Sequence, residues 1–474
     1  MTPHPTRALA LFAALALLTV SGSFAIADGT PDPGFGASGT FRWNWPSSYA
    51  LQAHELRTGP DDVVTVAGSV QTGGGVASET LACTWSAVAA DSWCATPPVD
   101  LDGNRTDEAW GLTYLPTGGI VLAGYDEGPN ADPDDRATFT ALHANGDLDT
   151  SFSGNGVQTV NFAGWAVAYA ISARRNGDLL FSGAYDHDAG SPGTGSDCFA
   201  GRMAADGTLD TSYSGNGLVT IGWDLGPESR DECTAQALYH DGRLVVAGQV
   251  QRADDTWSFG VARLTTAGVL DSTFSGNGKR LIDFPLGNGS SAQATAVAVD
   301  RKGRIVVAGR ALDGNGWLGA VARLLPDGTL DTSFGPFGNG TTTFAVTGVS
   351  PDVLTVEGMR LLPPPSNDIV VVGARTDGSH ETGYVAMLRE NGVADDTFGS
   401  GGRVLVDIDA DFDNAVHGVT VAGGKIVVDS TYSSRLNLST PTNVIALTRL
   451  YRNQIFGDDF EGGNTFLWSN RADP

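Results

Sequence analysis

Short apolar runs, each closed by a small residue, recur along the chain: VVTVAG (63–68), GIVLAG (119–124), DLLFSG (178–183), RLVVAG (243–248), RIVVAG (304–309), DIVVVG (368–373) and KIVVDS (425–430). Runs this short, apolar at successive positions, predict strands buried on both faces. Their last residues are spaced 56, 59, 65, 61, 64 and 57 apart. A polar, glycine-rich signature follows about 30 residues later in five copies: ANGDLDTSFSGNG (144–156), ADGTLDTSYSGNG (205–217), TAGVLDSTFSGNG (266–278), PDGTLDTSFGPFGNG (326–340) and ENGVADDTFGSGG (390–402). Its aromatic stands at Phe152, Tyr213, Phe274, Phe334 and Phe398. A period near 60 residues marks an array of one supersecondary unit.

Each unit offers four strands. In the second unit these are strand a at 109–115, small and β-branched; strand b at 119–124; strand c at 138–142; and strand d at 157–162. Strand c alternates in other copies (261–264 and 321–324), which predicts Arg263 and Arg323 toward solvent. Seven such units without helical periodicity predict an all-β, seven-bladed β-propeller of four-stranded antiparallel blades, with strand a lining the central channel. The ring spans 28–453, about 61 residues per blade, and a tail follows at 454–474.

Composition agrees. Glycine numbers 63 of 474 residues, as a turn-dense β protein requires. Lys+Arg total 28 against 54 Asp+Glu, a net charge of −26, so nucleic acid is excluded as a partner. Arg7, the apolar run 8–20 and the A-x-A site Ala25-Ile26-Ala27 read as a signal peptide over 1–27. No later run is long enough to span a membrane, so an exported, monomeric protein of the periplasm, cell surface or medium is expected. Export makes the four cysteines disulfide candidates, with three connectivities open. The reading pairs Cys83 with Cys94 across a hairpin, leaving Cys198 and Cys233 to bridge neighbouring units. The C-x-x-C spacing of a zinc site is absent.

DGxIVVAG followed by ARLxxDGxLDTSFGxxG resembles the delta-60 repeat family of bacterial exported proteins, specifically in five units and loosely in the first and last. The resemblance implies a propeller-like repeat domain of undetermined role and supplies no catalytic residues. The tail (455–470) resembles a short C-terminal segment found on unrelated exported proteins, with Asp459 where that pattern has Gly.

A ring must tie its last blade to its first. The N-terminus holds a half-signature from Asp32 to Gly39, then Thr40-Phe41-Arg42-Trp43, so 40–45 is expected to supply strand d of blade 7. Thr465-Phe466-Leu467-Trp468 is the competing segment.

The aspartate three residues before each turn aromatic (Asp32, Asp149, Asp210, Asp271, Asp331, Asp395) is expected to cap its own turn. Asp407, Asp409, Asp411 and Asp413 alternate, which makes Asp409, Asp411 and Asp413 weak candidates for Ca²⁺. No cofactor is otherwise required. GNGWLG (314–319) precedes no helix and gives no dinucleotide site, and the histidines form no metal spacing. The b–c and d–a loops are irregular and carboxylate-rich, and irregularity confined to one face is where scaffolds carry function. Binding candidates there are Asp107, Glu108, Asp186, Asp188, Asp231, Glu232, Asp254, Trp257 and Trp317, with Trp165 beside them. They suggest an interaction scaffold for a protein or carbohydrate, with a hydrolase or lyase using two loop carboxylates as the alternative.

Overall fold

The computed structural model describes residues 29–44, 50–71, 78–86, 92–94, 106–127, 135–162, 164–186, 195–226, 229–287, 290–346, 353–376, 380–407, 412–434 and 444–451. These form seven antiparallel sheets, and no described residue is α-helical. The proposed signal peptide and tail lie outside the described residues.

Blade 4 shows the plan: strand a Asp231–Leu238, b Leu244–Gln251, c Trp257–Leu264 and d Lys279–Ile282, paired in that order. Strand b is buried along nearly its whole length, as its continuous apolar run predicts. In blade 6 strand a is broken into Val353–Leu354 and Gly358–Leu361. Blade 7 takes its strands a to c from Phe412–Ala422, Lys425–Ser434 and Val444–Leu450, and Thr40–Asn44 pairs antiparallel with the last of these. Among the described residues, no helix is long and apolar enough to cross a membrane.

The expectation for Arg263 and Arg323 is corrected: they are 1% and 3% exposed. Strand c is covered by a neighbouring blade on each side, so its polar positions are interior. Arg263 Nε donates to Asp271 Oδ2 at 2.8 Å, and its other nitrogens donate to Thr273 Oγ1 and to the Pro326 carbonyl of blade 5. Arg323 repeats this with Asp331, Ser333 and the Glu390 carbonyl of blade 6, and Arg202 with Asp210, Ser212 and the Thr266 carbonyl of blade 4. Each turn aspartate also accepts the N–H two residues on, as from Thr273 to Asp271 at 3.0 Å. The turn aromatic completes the joint: Phe274 lies against Gly328 of the next blade, where an added Cβ would sit 2.9 Å from the ring. In blade 7 the aspartate comes from the N-terminus, since Asp32 accepts from Lys425 at 2.7 Å, Arg449 at 2.8 Å and Tyr451 at 2.8 Å.

Both disulfides are present: Cys83–Cys94 between strands c and d of blade 1, and Cys198–Cys233 between blades 3 and 4.

Candidate functional site

Strand a carries the site because its edge faces the axis, and its bulges decide what is presented there. The pairing of a with b slips by one residue at His54, Trp110, Tyr169, Thr234 and Thr295, with a wider irregularity around His417. An extra residue reverses the alternation of side chains beyond it. In blade 1 the partly or fully exposed positions run Gln52, His54, Glu55, Arg57 and Thr58. The bulge also brings backbones together: a Cβ on Gly248, at the end of strand b, would lie 1.7 Å from the Glu232 carbonyl.

At bulge level the rings of His54 and Trp110 stack at 3.9 Å, and Tyr169 meets Trp110 edge-on at 5.5 Å. Burial, with the nearby His417, holds His54 down to about 3, so it is neutral at physiological pH. His54 Nε2 and Trp110 Nε1 have no hydrogen-bond partner among the described residues.

Between blades 7 and 1, Asp429 is fully buried where strand b of other blades has Ala67, Ala123 or Ala247. Its Oδ1 accepts the Gly418 N–H at 2.5 Å and its Oδ2 has no partner among the described residues. Burial, reinforced by Glu55, pushes its carboxyl up to about 7. Burial also raises Glu55, although Arg57 stands 2.9 Å away.

Strand a begins on the b–c/d–a side of each blade. Glu232 accepts from Gln249 at 2.7 Å, and its carboxyl is raised by burial against the opposing effects of Gln249 and Arg230. Glu108 is likewise raised by burial and by Glu127. Arg310 donates to Gln293 and covers the ring of Trp317 at 4.4 Å. Between blades 3 and 4 a cavity of about 200 Å³ is lined by Trp165, Gly195, Ser196, Arg230 and Glu232.

The candidate residues therefore separate. Glu108 and Glu232 each stand second in their strand a, and Glu232 lines the cavity with Trp165. Asp107, Asp186 and Asp231 are buried at 0%, 1% and 0% exposure, because the first residue of strand a and the last of strand b turn into the blade interfaces. Asp231 accepts the Trp223 N–H at 2.6 Å and is raised to about 6 by burial. Asp254 caps its own turn through Thr256, and Trp257 donates its backbone N–H to Ser291. Asp188, Asp409 and Asp411 lie outside the described residues, while Asp413 accepts the Glu381 N–H at 3.1 Å. Among the described residues, no three His, Cys, Asp or Glu side chains converge as a metal site. Sequence reasoning missed His54, Trp110, Glu55 and Asp429. Only Asp429 left a signal, the odd DS closing KIVVDS.

A family profile described as a β-propeller domain of unknown function (DUF5122) matches residues 240–274 and 303–334, within blades 4 and 5. No curated protein matches the sequence. Similar solved structures include Sqt1 from Chaetomium thermophilum, with 14% identity, TM-score 0.40, and coverage of 86% of this chain and 100% of that one. An α-L-arabinanase from Penicillium chrysogenum has 10% identity, TM-score 0.43, and coverage of 86% and 96%. A gluconolactonase from Xanthomonas campestris has 10% identity, TM-score 0.33, and coverage of 90% and 96%. Likeness at this level says nothing of chemistry.

Proposed function

We propose that this chain is an exported propeller that binds a neutral carbohydrate in the cavity between blades 3 and 4. The observation that carries the reading is the lining of that cavity: an indole, an arginine, a serine and a glutamate around about 200 Å³. An indole face offers apolar area to the C–H face of a sugar ring, and Ser196, Arg230 and Glu232 offer donors and acceptors for its hydroxyls. The net charge of −26 disfavours anionic polymers. Hydrolysis is the weaker alternative. Glu232 is the one carboxylate among the lining residues, and Asp231, next to it on an extended strand, points to the opposite face. A glycosidase needs two carboxyls flanking one bond, about 5–10 Å apart.

Supporting the export half of the reading, the leader-like 1–27 segment and the two disulfides suit an oxidising compartment. We read residues 40–44 as the strand that closes a monomeric ring. The Asp32 contacts support this, because the competing tail has Gly457 three residues before Phe460 and so lacks that carboxylate.

The test is a glycan array with residues 28–474, followed by calorimetry of W165A and E232Q. Neutral oligosaccharides should bind, and W165A should weaken them at least ~10-fold, about 1.4 kcal/mol. No binding to the array, or binding indifferent to W165A, would end the reading.

A further inference from the structure

We propose that the Cys198–Cys233 bridge sets the width of the cavity between blades 3 and 4, so that ligand capture depends on the bridge. The inference rests on the binding reading above for its functional half, while its structural half stands without a ligand.

The bridge joins the same two strands that supply cavity walls. It runs from strand c of blade 3 (Ser196–Met203) to strand a of blade 4 (Asp231–Leu238), with Cα atoms 5.1 Å apart and both residues fully buried. Ser196 is two residues before Cys198, on the same face of its strand. Glu232 immediately precedes Cys233. Arg230 faces Ser196 across an isolated parallel bridge. The third wall, Trp165, belongs to blade 3 and is fixed where its carbonyl accepts the Asp186 N–H at 2.8 Å. Moving blade 4 relative to blade 3 therefore carries Arg230 and Glu232 away from Trp165 and Ser196.

Neighbouring junctions resist such movement with aromatic packing. Phe139, Phe181 and Phe199 fill the joint of blades 2 and 3, and Phe259, Phe274 and Phe284 that of blades 4 and 5. The fully buried cluster between blades 3 and 4 contains no phenylalanine; it is Leu, Ile, Val and Ala around Tyr213 and the two cysteines. The strand-a place of Cys233 is held by Ala53, Ala109, Ala168 and Ala294 in blades 1, 2, 3 and 5, opposite the glycine that ends strand b. A covalent tie thus stands at the junction that has the cavity and whose buried cluster has Tyr213, with Trp223 at its edge, in place of three phenylalanines.

Full-length C198A/C233A is compared with wild type and with C83A/C94A, which removes the other disulfide within blade 1. Hydrogen exchange without ligand should be at least tenfold faster over 196–203 and 229–238 in C198A/C233A, and unchanged there in C83A/C94A. Affinity for the neutral oligosaccharide should fall at least tenfold in C198A/C233A alone. Unchanged exchange in a folded C198A/C233A overturns the proposal whatever binds. Faster exchange with no oligosaccharide binding by wild type overturns the binding reading and leaves the pinning intact. C198V/C233A refills the lost volume and repeats the comparison. Global unfolding of both variants would make the bridge a fold staple, and the proposal would fall.

Discussion

Replacing Asp429 by alanine gives blade 7 the residue that blades 1, 2, 4 and 5 carry in strand b, and it should stabilise the protein at pH 8. The folded carboxyl is carried from 3.8 to about 7 by burial. With each tenfold change in proton affinity about 1.4 kcal/mol, an ionised Asp429 costs about 4 kcal/mol. Alanine removes that cost but orphans the Gly418 N–H, a loss of about 1 kcal/mol. A net gain of about 3 kcal/mol is left at pH 8. The sign follows from proton counting. Between about pH 4 and 7 the folded chain holds a proton on Asp429 that the unfolded chain has released, so wild-type stability falls as pH rises through this window. Below pH 4 the carboxyl is neutral in both states, and D429A should be less stable by about 1 kcal/mol. At about 2 cal/mol/K of unfolding entropy per residue, each kcal/mol moves the melting temperature of a ring this size by about 1 °C. The variant-minus-wild-type difference in Tm should therefore climb by about 4 °C between pH 4 and pH 8. His54, Arg57 and His417 are common to both proteins and largely drop out of the difference, whereas the repulsion between Glu55 and an ionised Asp429 is part of the cost that alanine removes. A flat difference, or one that declines with pH, would refute the reasoning.

R263M removes the buried guanidinium from Asp271, which keeps Arg243 at 3.3 Å, and should cost about 1.5–3 kcal/mol, read by denaturant titration. Asp271 is held down at about 2, so the advantage of wild type over R263M should shrink as pH falls from about 4 toward 2. Deleting residues 28–45 removes the strand Thr40–Asn44 that pairs with Val444–Leu450, and buried Phe35; Phe35 alone is worth about 3–5 kcal/mol, and a tolerated deletion would show that another segment closes the ring. Millimolar calcium should raise Tm in wild type and not in D411N if the Asp409–Asp413 run takes the ion, and an unmoved Tm removes calcium from consideration.

The architecture was legible because two independent periodicities, the strand-b run and the turn aspartate, kept the same 60-residue step. The chemistry was less so. Arg263 looked solvent-facing because period-two alternation identifies which residues share a face, but not whether a neighbouring blade covers that face. His54 and Glu55 both reach the channel only through a bulge, which nothing in the local sequence marks. Asp231 and Glu232 read alike in the chain, yet one is sealed inside a blade interface and the other lines the cavity. That division depends on the bulge parity of strand a and the packing of blade 4 on blade 3.

The arginine joint has a consequence for how such a ring is lengthened. Blades 3, 4 and 5 each contribute a guanidinium facing forward, and blades 4 and 5 also a carbonyl and a glycine facing back, so a unit of that kind is both plug and socket. A duplicated unit enters already fitted to both neighbours and needs no new contact to be invented. What limits the number of copies is then the angle between successive blades and the single place where the ring must close.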